Sequence, residues 1–415
     1  VDLTVYDNGY RSKRWTPTLG GDMETQATFS GRYDVVYSHG DSAYKSARWP
    51  EQTVTWSADD LKIPEGATIA SARLYQAWGW NKMTGDPAPT VTFNGADVGA
   101  PVASYKDRKN WGSYDYPYGL HVYDVTDQFD TAASNNTMTL TPETDNDYFI
   151  YGAYLVIVYE DPAATEKQIL INEEFDMVCS RASYSVNNDE AMVTAPFSGI
   201  DTADLAGARA IAILASADEA GKSKFFFNDQ EYAGFWGDYK GDPQIGFSVY
   251  NVTEVLQNGT NEARLQSFDT GANGDSMYAM TTILVAEYAD SALPDLTIST
   301  IKPNVGGGDT IFAGGSNTIS VMVENLGTGT AGASTLLINV SGTEYTLPVS
   351  ALTPGANETV IVTHDTAYAH GTVISVTATV DSGSVIDESD EANNALMVDL
   401  TVYDNGYRSK RWTPT

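Results

Sequence analysis

Short apolar runs recur along the chain, among them TVTWSADD, TMTLTP, YLVIVYED, TTILVAEY, TISVMVEN and VISVTATV. Each is rich in β-branched or aromatic residues and bounded by Gly, Pro, Asn or Asp, the pattern of strands between turns. No long stretch places apolar residues at helical spacing. The expected class is all-β. A chain of 415 residues exceeds what one core serves, so about three domains are expected.

Between residues 20 and 291 the pattern repeats with drift. GLHVYDVTDQF is answered by GFSVYNVTEVL, IASARLYQAW by LAGARAIAIL, and FNGADVG by FNDQEYAG. TDNDYFIYGAYLVIVYED is answered by GANGDSMYAMTTILVAEYAD, and the order is kept throughout. Two β domains of one topology therefore follow each other, over residues 19–162 and 163–291. In YDVTDQF, Asp124 is placed to cap a one-turn helix and Asp127 to sit beside its positive end, with Asn251 and Glu254 repeating the arrangement. Strand, cap, short helix and returning strand resemble the galactose-binding-like jelly rolls, a resemblance that implies a fold rather than a ligand. The tandem pair also looks like the uncharacterised β domains of methanogen surface proteins, in the archaea.

Residues 292–404 carry a more specific pattern. Pro294-Asp-Leu-Thr opens it, Val323-Glu-Asn-Leu-Gly327 gives V-x-N-x-G, and Leu352 to Gly355 gives L-x-P-G. An acidic run ending in E-x-N-N at Asn394 closes it. This set resembles the cell-adhesion-related domain found in bacteria (CARDB), and implies an immunoglobulin-like sandwich of about seven strands. Its expected role is a spacer or interaction module on a cell surface. The fold expected of the whole chain is two related jelly-roll β-sandwiches followed by an immunoglobulin-like β-sandwich.

One repeat has not drifted at all. Val1 to Thr18 and Val398 to Thr415 are identical at every position, and the interval between them is 397 residues. In CARDB domains the strand after E-x-N-N is the last of the sandwich; here it is ALMVDLTV, which runs into the duplicated segment. Val1, Leu3 and Val5 are thus expected to be the tail of a preceding sandwich, as Val398, Leu400 and Val402 are of this one. Residues 405–415 are expected to link into the next repeat, as residues up to 18 do from the one before. Arg11, Lys13 and Arg14, followed by Trp15 (Trp412 in the second copy), lie in this linker. There the cations can pair with carboxylates across a junction, each pair contributing about 0–1 kcal/mol. A tandem array and a polymer sharing a strand between subunits both fit, and in either the partner is another copy of the chain.

Charge narrows the partners further. With 55 acidic and 23 basic residues the formal charge is −32, which disfavours nucleic acid and anionic membrane surfaces. No stretch approaches 18 apolar residues, so no membrane insertion is expected. Cys179 is the only cysteine, excluding an intrachain disulfide. Five N-x-S/T triplets, at Asn135, Asn251, Asn258, Asn339 and Asn357, are N-glycosylation candidates in an exported protein. Together with little Lys and much Thr and Tyr, they favour an extracellular, cell-surface location.

Signs of catalysis are sparse. There is no G-x-S-x-G, H-E-x-x-H or C-x-x-C, and His39, His121, His364 and His370 are dispersed. The pair in THDTAYAH reads as two solvated loop histidines rather than a metal site. An enzyme is not expected, nor is an organic cofactor. Calcium is the inorganic candidate, because it takes six to eight oxygens and three loops offer them: Asp145 with Asp147, Asp269 with Asp275, and Asp381 with Asp387 and Glu388. Solvated acidic turns are the simpler reading of each. Two aromatic loops share W-G-x-Y: Trp111, Tyr114 and Tyr116 in the first copy, Phe235, Trp236 and Tyr239 in the second. They can serve as interface anchors, stack on sugar rings, or fold back on their own sheet. Lys302 and Asn393 or Asn394 follow the order seen in isopeptide-linked sandwiches, although no such bond is expected. The leading expectation is a structural repeat unit of an extracellular filament or surface layer. The rival readings are an adhesin that binds surface glycans through the aromatic loops and an enzyme acting on surface polysaccharide.

Overall fold

The structure, a computed structural model, describes residues 23–109, 114–235, 243–269, 271, 273–289, 292–304 and 310–404. Two compact units divide it, Val1–Ala289 and Asp290–Thr415.

In the first unit the initial copy supplies β1 (Glu24–Gly31), β2 (Tyr33–Ser38), β3 (Gln52–Ser57), β4 (Thr68–Gly79), β5 (Thr90–Phe93), β6 (Ala96–Asp97), β7 (Ala103–Arg108), β8 (Pro117–Asp124), β9 (Asn135–Thr141) and β10 (Phe149–Glu160). The second supplies β11 (Lys167–Val178), β12 (Met192–Ile200), β13 (Leu205–Ala215), β14 (Ser223–Phe227), β15 (Gln230–Tyr232), β16 (Ile245–Asn251), β17 (Gly259–Ser267) and β18 (Met277–Tyr288). Sheet orders β2-β10-β4-β8-β7 and β3-β9-β5-β6 in the first copy are answered by β11-β18-β13-β16 and β12-β17-β14-β15 in the second. One strand crosses between copies: β1 pairs antiparallel with β11 and extends the second copy's large sheet.

The two large sheets face each other. Tyr75, Tyr118, Tyr154 and Val156 of the first copy share one core with Ile171, Phe175, Ile211 and Tyr278 of the second. Each large sheet also packs on its own small sheet, around Trp56, Trp78 and Phe93 in one copy and Phe197, Phe225 and Leu265 in the other. Central strands are therefore buried on both faces, which is why β10 and β18 are buried at almost every position instead of alternating.

The second unit holds β19 (Leu296–Pro303), β20 (Thr310–Phe312), β21 (Asn317–Asn325), β22 (Ser334–Val340), β23 (Thr343–Val349), β24 (Asn357–His364), β25 (Val373–Thr379) and β26 (Ala395–Tyr403). They form a sandwich of sheets β19-β21-β24 and β20-β26-β25-β22-β23. Here β21 and β22 alternate strictly between buried and half-buried residues, as one-sided strands should. Among the described residues there are eight strands where about seven were expected, the addition being short β20, which pairs parallel to β26.

Candidate functional site

Polar groups concentrate where the two jelly rolls meet. Glu173 of β11 is fully buried and faces the first copy. Arg73 of β4 donates to it through Nε at 2.7 Å and Nη2 at 2.9 Å, Tyr75 Oη at 2.6 Å and Tyr105 Oη at 3.2 Å. The internal alignment sets Arg209 of β13 beside Arg73, and Arg209 reaches back to Asp34 of β2 at 3.0 Å. Each copy's arginine thus meets a carboxylate on the other copy's first large-sheet strand. Tyr75 and Tyr154 stack at 4.6 Å on the same seam, where Tyr154 and Thr281 are hydrogen-bonded at 2.7 Å.

The D-V-T and N-V-T segments act as latches. Asp124 Oδ1 accepts from Thr126 N at 3.0 Å, and Thr126 Oγ1 accepts from Ala72 N at 2.9 Å. Asn251 and Thr253 repeat both bonds, the second to Ala208 N. The expected capped helix is instead a single 3-10 turn, Thr126–Gln128, without a side-chain cap. Asp124 closes the turn before it, and the threonine, which sequence reasoning passed over, holds the neighbouring strand.

The aromatic loops are described in part; Trp111, Trp236 and Tyr239 lie outside the described residues. Tyr116 and Tyr118 pack on Trp80, with centroids 5.7 and 6.1 Å away, and Tyr114 leans on the same ring while 53% exposed. Lys109 Nζ lies 4.4 Å from the Trp80 ring centroid, and burial pushes its ammonium down to about 7. Trp80 holds φ at +51°, a left-handed conformation costly for a bulky residue. Phe235 is buried against Phe225 and Tyr250. In their described parts, then, both loops fold back on their own sheets. Neither Trp80 nor Lys109 stood out in the sequence; only their neighbours did.

In the sandwich the motif residues tie strand ends together. Asn325 is fully buried; its Nδ2 donates to Gly329 O at 2.8 Å and Leu352 O at 2.9 Å, while its Oδ1 accepts from Asp295 N at 3.0 Å and Gly327 N at 3.1 Å. A Cβ at Gly329 would stand 1.8 Å from Ala292 O, so this crossing admits only glycine. Glu388 accepts from Leu296 N and from Asn394 Nδ2, and Asn393 Nδ2 donates to Asp295. The acidic run and the asparagines after it thereby clamp the start of β19.

The acidic loops are used in the same way. Asp381 Oδ2 accepts from Val385 N and Ile386 N, Asp269 Oδ1 from Gly271 N, and Asp275 Oδ2 from Glu219 N. Asp145 and Asp387 are exposed, and Asp147 lies 4.0 Å from Lys82. Among the described residues no three His, Cys, Asp or Glu side chains converge as metal ligands. His364 departs from expectation: far from solvated, it is fully buried, between Tyr345 Oη and Tyr368 Oη at 2.8 Å each. β24 alternates, and the period that turns Val360 and Val362 inward turns His364 inward as well. Lys302 is exposed on β19, whereas Asn393 bonds at the other end of that strand, to Asp295. Asn135, Asn251, Asn258 and Asn357 are exposed, and Asn339 is half-buried.

In β26, Leu400 is 2% and Val402 0% exposed, with Val398 packed beside them. Val1, Leu3, Val5, Arg11, Lys13, Arg14, Trp15 and Trp412 lie outside the described residues.

Residues 9–287 match the family described as protein of unknown function (DUF3344). The chain belongs to that family. Behind the DUF3344 region, residues 293–398 match CARDB and form a CARDB domain. Among solved structures, the CARDB domain of a Pyrococcus furiosus protein, crystallised in complex with di-metal ions, is 24% identical and covers 28% of this chain and 99% of its own, with a TM-score of 0.25. A domain of a putative cell surface protein from Methanosarcina acetivorans is 21% identical over 28% of this chain and 98% of its own, with a TM-score of 0.25. A β-galacturonidase from Eisenbergiella tayi is 10% identical over 51% of this chain and 35% of its own, with a TM-score of 0.19. None of the curated proteins matches the chain.

Proposed function

We propose that this chain is a structural, non-catalytic repeat unit of an extracellular filament or surface layer, joined end to end through the strand that both copies of the eighteen-residue segment encode. The observation that carries this reading is the placement of β26. It pairs antiparallel with β25 and parallel with β20, and buries Leu400 and Val402. Val1 to Tyr6 repeats Val398 to Tyr403 residue for residue. The same residues have the same need for a two-sided groove, so the first segment has the chemistry to complete another sandwich of this kind by strand addition. The welded seam between the jelly rolls also suits a load-bearing role, since both copies must separate together.

A chain of residues 19–397, mixed with a synthetic peptide of residues 1–18, tests the reading. Recovery of the sandwich's unfolding transition on adding peptide is the expected result. If the peptide restores nothing, a strand supplied by another copy is ruled out. The rival reading, a glycan-binding adhesin, draws support from exposed Tyr114 beside Trp80. Glycan-array binding lost in Tyr114→Ala would favour it over the structural role.

A further inference from the structure

Buried carboxylates gather where the chain enters the double jelly roll. Glu174 and Asp176 of β11 are 5% and 0% exposed. Beside them Met177 N donates, at 3.0 Å, to Oδ2 of Asp107 on β7, a third fully buried carboxylate. Charge this deep in a protein persists only beside opposite charge or strong donors. Glu174 and Asp176 are both engaged, yet the ion pairs among the described residues use other carboxylates.

The path of the chain indicates a source of cations. β1 runs antiparallel to β11, and the register ends with Glu24 opposite Glu173, which aims the incoming chain at Glu174 and Asp176. Met23 is fully buried, and its sulfur accepts a hydrogen bond from Thr282 Oγ1, so the entry point is fixed. Arg11, Lys13 and Arg14 stand shortly ahead of it, well within a reach of about 3.3–3.6 Å per residue. The DUF3344 match opens at residue 9, and the CARDB match closes at residue 398, the counterpart of residue 1. The basic run thus travels with the double jelly roll and not with the sandwich. The other dense basic run, Lys106 to Lys109, is already placed: Lys106 on Asp86, Arg108 on Asp115 and Lys109 over Trp80.

We propose that residues 9–18 form a strap that docks beside β11, where Arg11, Lys13 and Arg14 neutralise Glu174 and Asp176. Carboxylates this deep are closed to an outside ligand, but not to a segment of the same chain that folds with them. The two halves of the duplicated segment then have different hosts, the first a sandwich and the second a jelly roll. Residues 406–415 carry the identical chemistry to β11 of a following copy. That last step deepens the structural reading and rests on it; the docking of residues 9–18 does not.

The two identical segments supply the test within one chain. In dilute full-length protein, trypsin should cut after Arg11, Lys13 and Arg14 at least about tenfold more slowly than after Arg408, Lys410 and Arg411. Glu174→Gln with Asp176→Asn should erase that difference. Should this variant fail to fold, the triple change Arg11→Gln, Lys13→Gln and Arg14→Gln is read in its place. That triple change should lower the first unit's melting transition by at least about 5 °C, the scale of a buried charge left without its partner. The same change at Arg408, Lys410 and Arg411 should leave that transition where it is. Equal cleavage at the two ends, or a transition that the first triple change does not move, overturns the strap. A peptide that fails to restore the truncated sandwich would alter none of these outcomes, so this proposal and the strand-addition reading fail separately.

Discussion

Replacing Glu173 with Gln keeps the side chain's shape and removes its charge. Three side chains of the first copy, Arg73, Tyr75 and Tyr105, donate four hydrogen bonds to this one carboxylate of the second. Arg73 is 18% exposed and Glu173 0%, so the guanidinium left behind has little water to turn to. Breaking a buried pair from one side costs about 3–5 kcal/mol. For domains of 150–250 residues each kcal/mol moves the melting temperature by about 2–4 °C, so the transition of the first unit should fall by at least about 6 °C. Removing both charges is a different perturbation. Arg73→Met with Glu173→Leu leaves no stranded ion, and should cost at least about 2 kcal/mol less than the two single changes summed, since partners in one network couple. Scanning calorimetry of the wild type, Glu173→Gln, Arg73→Met, Glu173→Leu and the double variant measures both quantities. A loss below about 1 kcal/mol in Glu173→Gln, or strict additivity in the double variant, would refute the claim that this pair holds the two copies together.

Two further outcomes are expected. Asn325→Ala strands the Asp295 and Gly327 N–H groups and the Gly329 carbonyl, Leu352 O keeping its bond from Ala331 N, at about 1–3 kcal/mol for each group left unsatisfied, so the sandwich transition should fall by more than 10 °C while that of the first unit stays put. Burial, reinforced by nearby Asp218 and Glu219, pushes the Asp275 carboxyl up from 3.8 to about 7. The folded chain therefore holds a proton there that the unfolded chain has released, and stability falls as pH rises from about 4 to 7. Asp275→Asn should stabilise the first unit at pH 8, by up to about 4 kcal/mol, and change little at pH 4; urea unfolding at the two values checks the sign.

How much of this could be read from the chain depended on the range of the interaction. The duplicated jelly roll was legible because strand, turn and strand are local, and YDVTDQF and YNVTEVL preserve them. The seam was not: the run YLVIVY in β10 and the mainly apolar β18 say that both faces are covered, but not by what. Asn325 could be recognised as a turn residue, whereas its four partners come from Asp295, Gly327, Gly329 and Leu352, and only tertiary structure collects them. The acidic loops were read as possible calcium ligands because carboxylates in sequence look alike whether they meet an ion or a backbone N–H. The burial of His364, by contrast, was available in the alternation of VIVTH and was overlooked.

Cryo-electron microscopy of the native surface material tests the central claim most directly. The account predicts a periodic array in which the strand of residues 398–403 is paired within one sandwich and its main chain runs on, without a break, into the next double jelly roll or docks in a neighbouring subunit. Separate single units, each with that strand paired and no copy following, would contradict it.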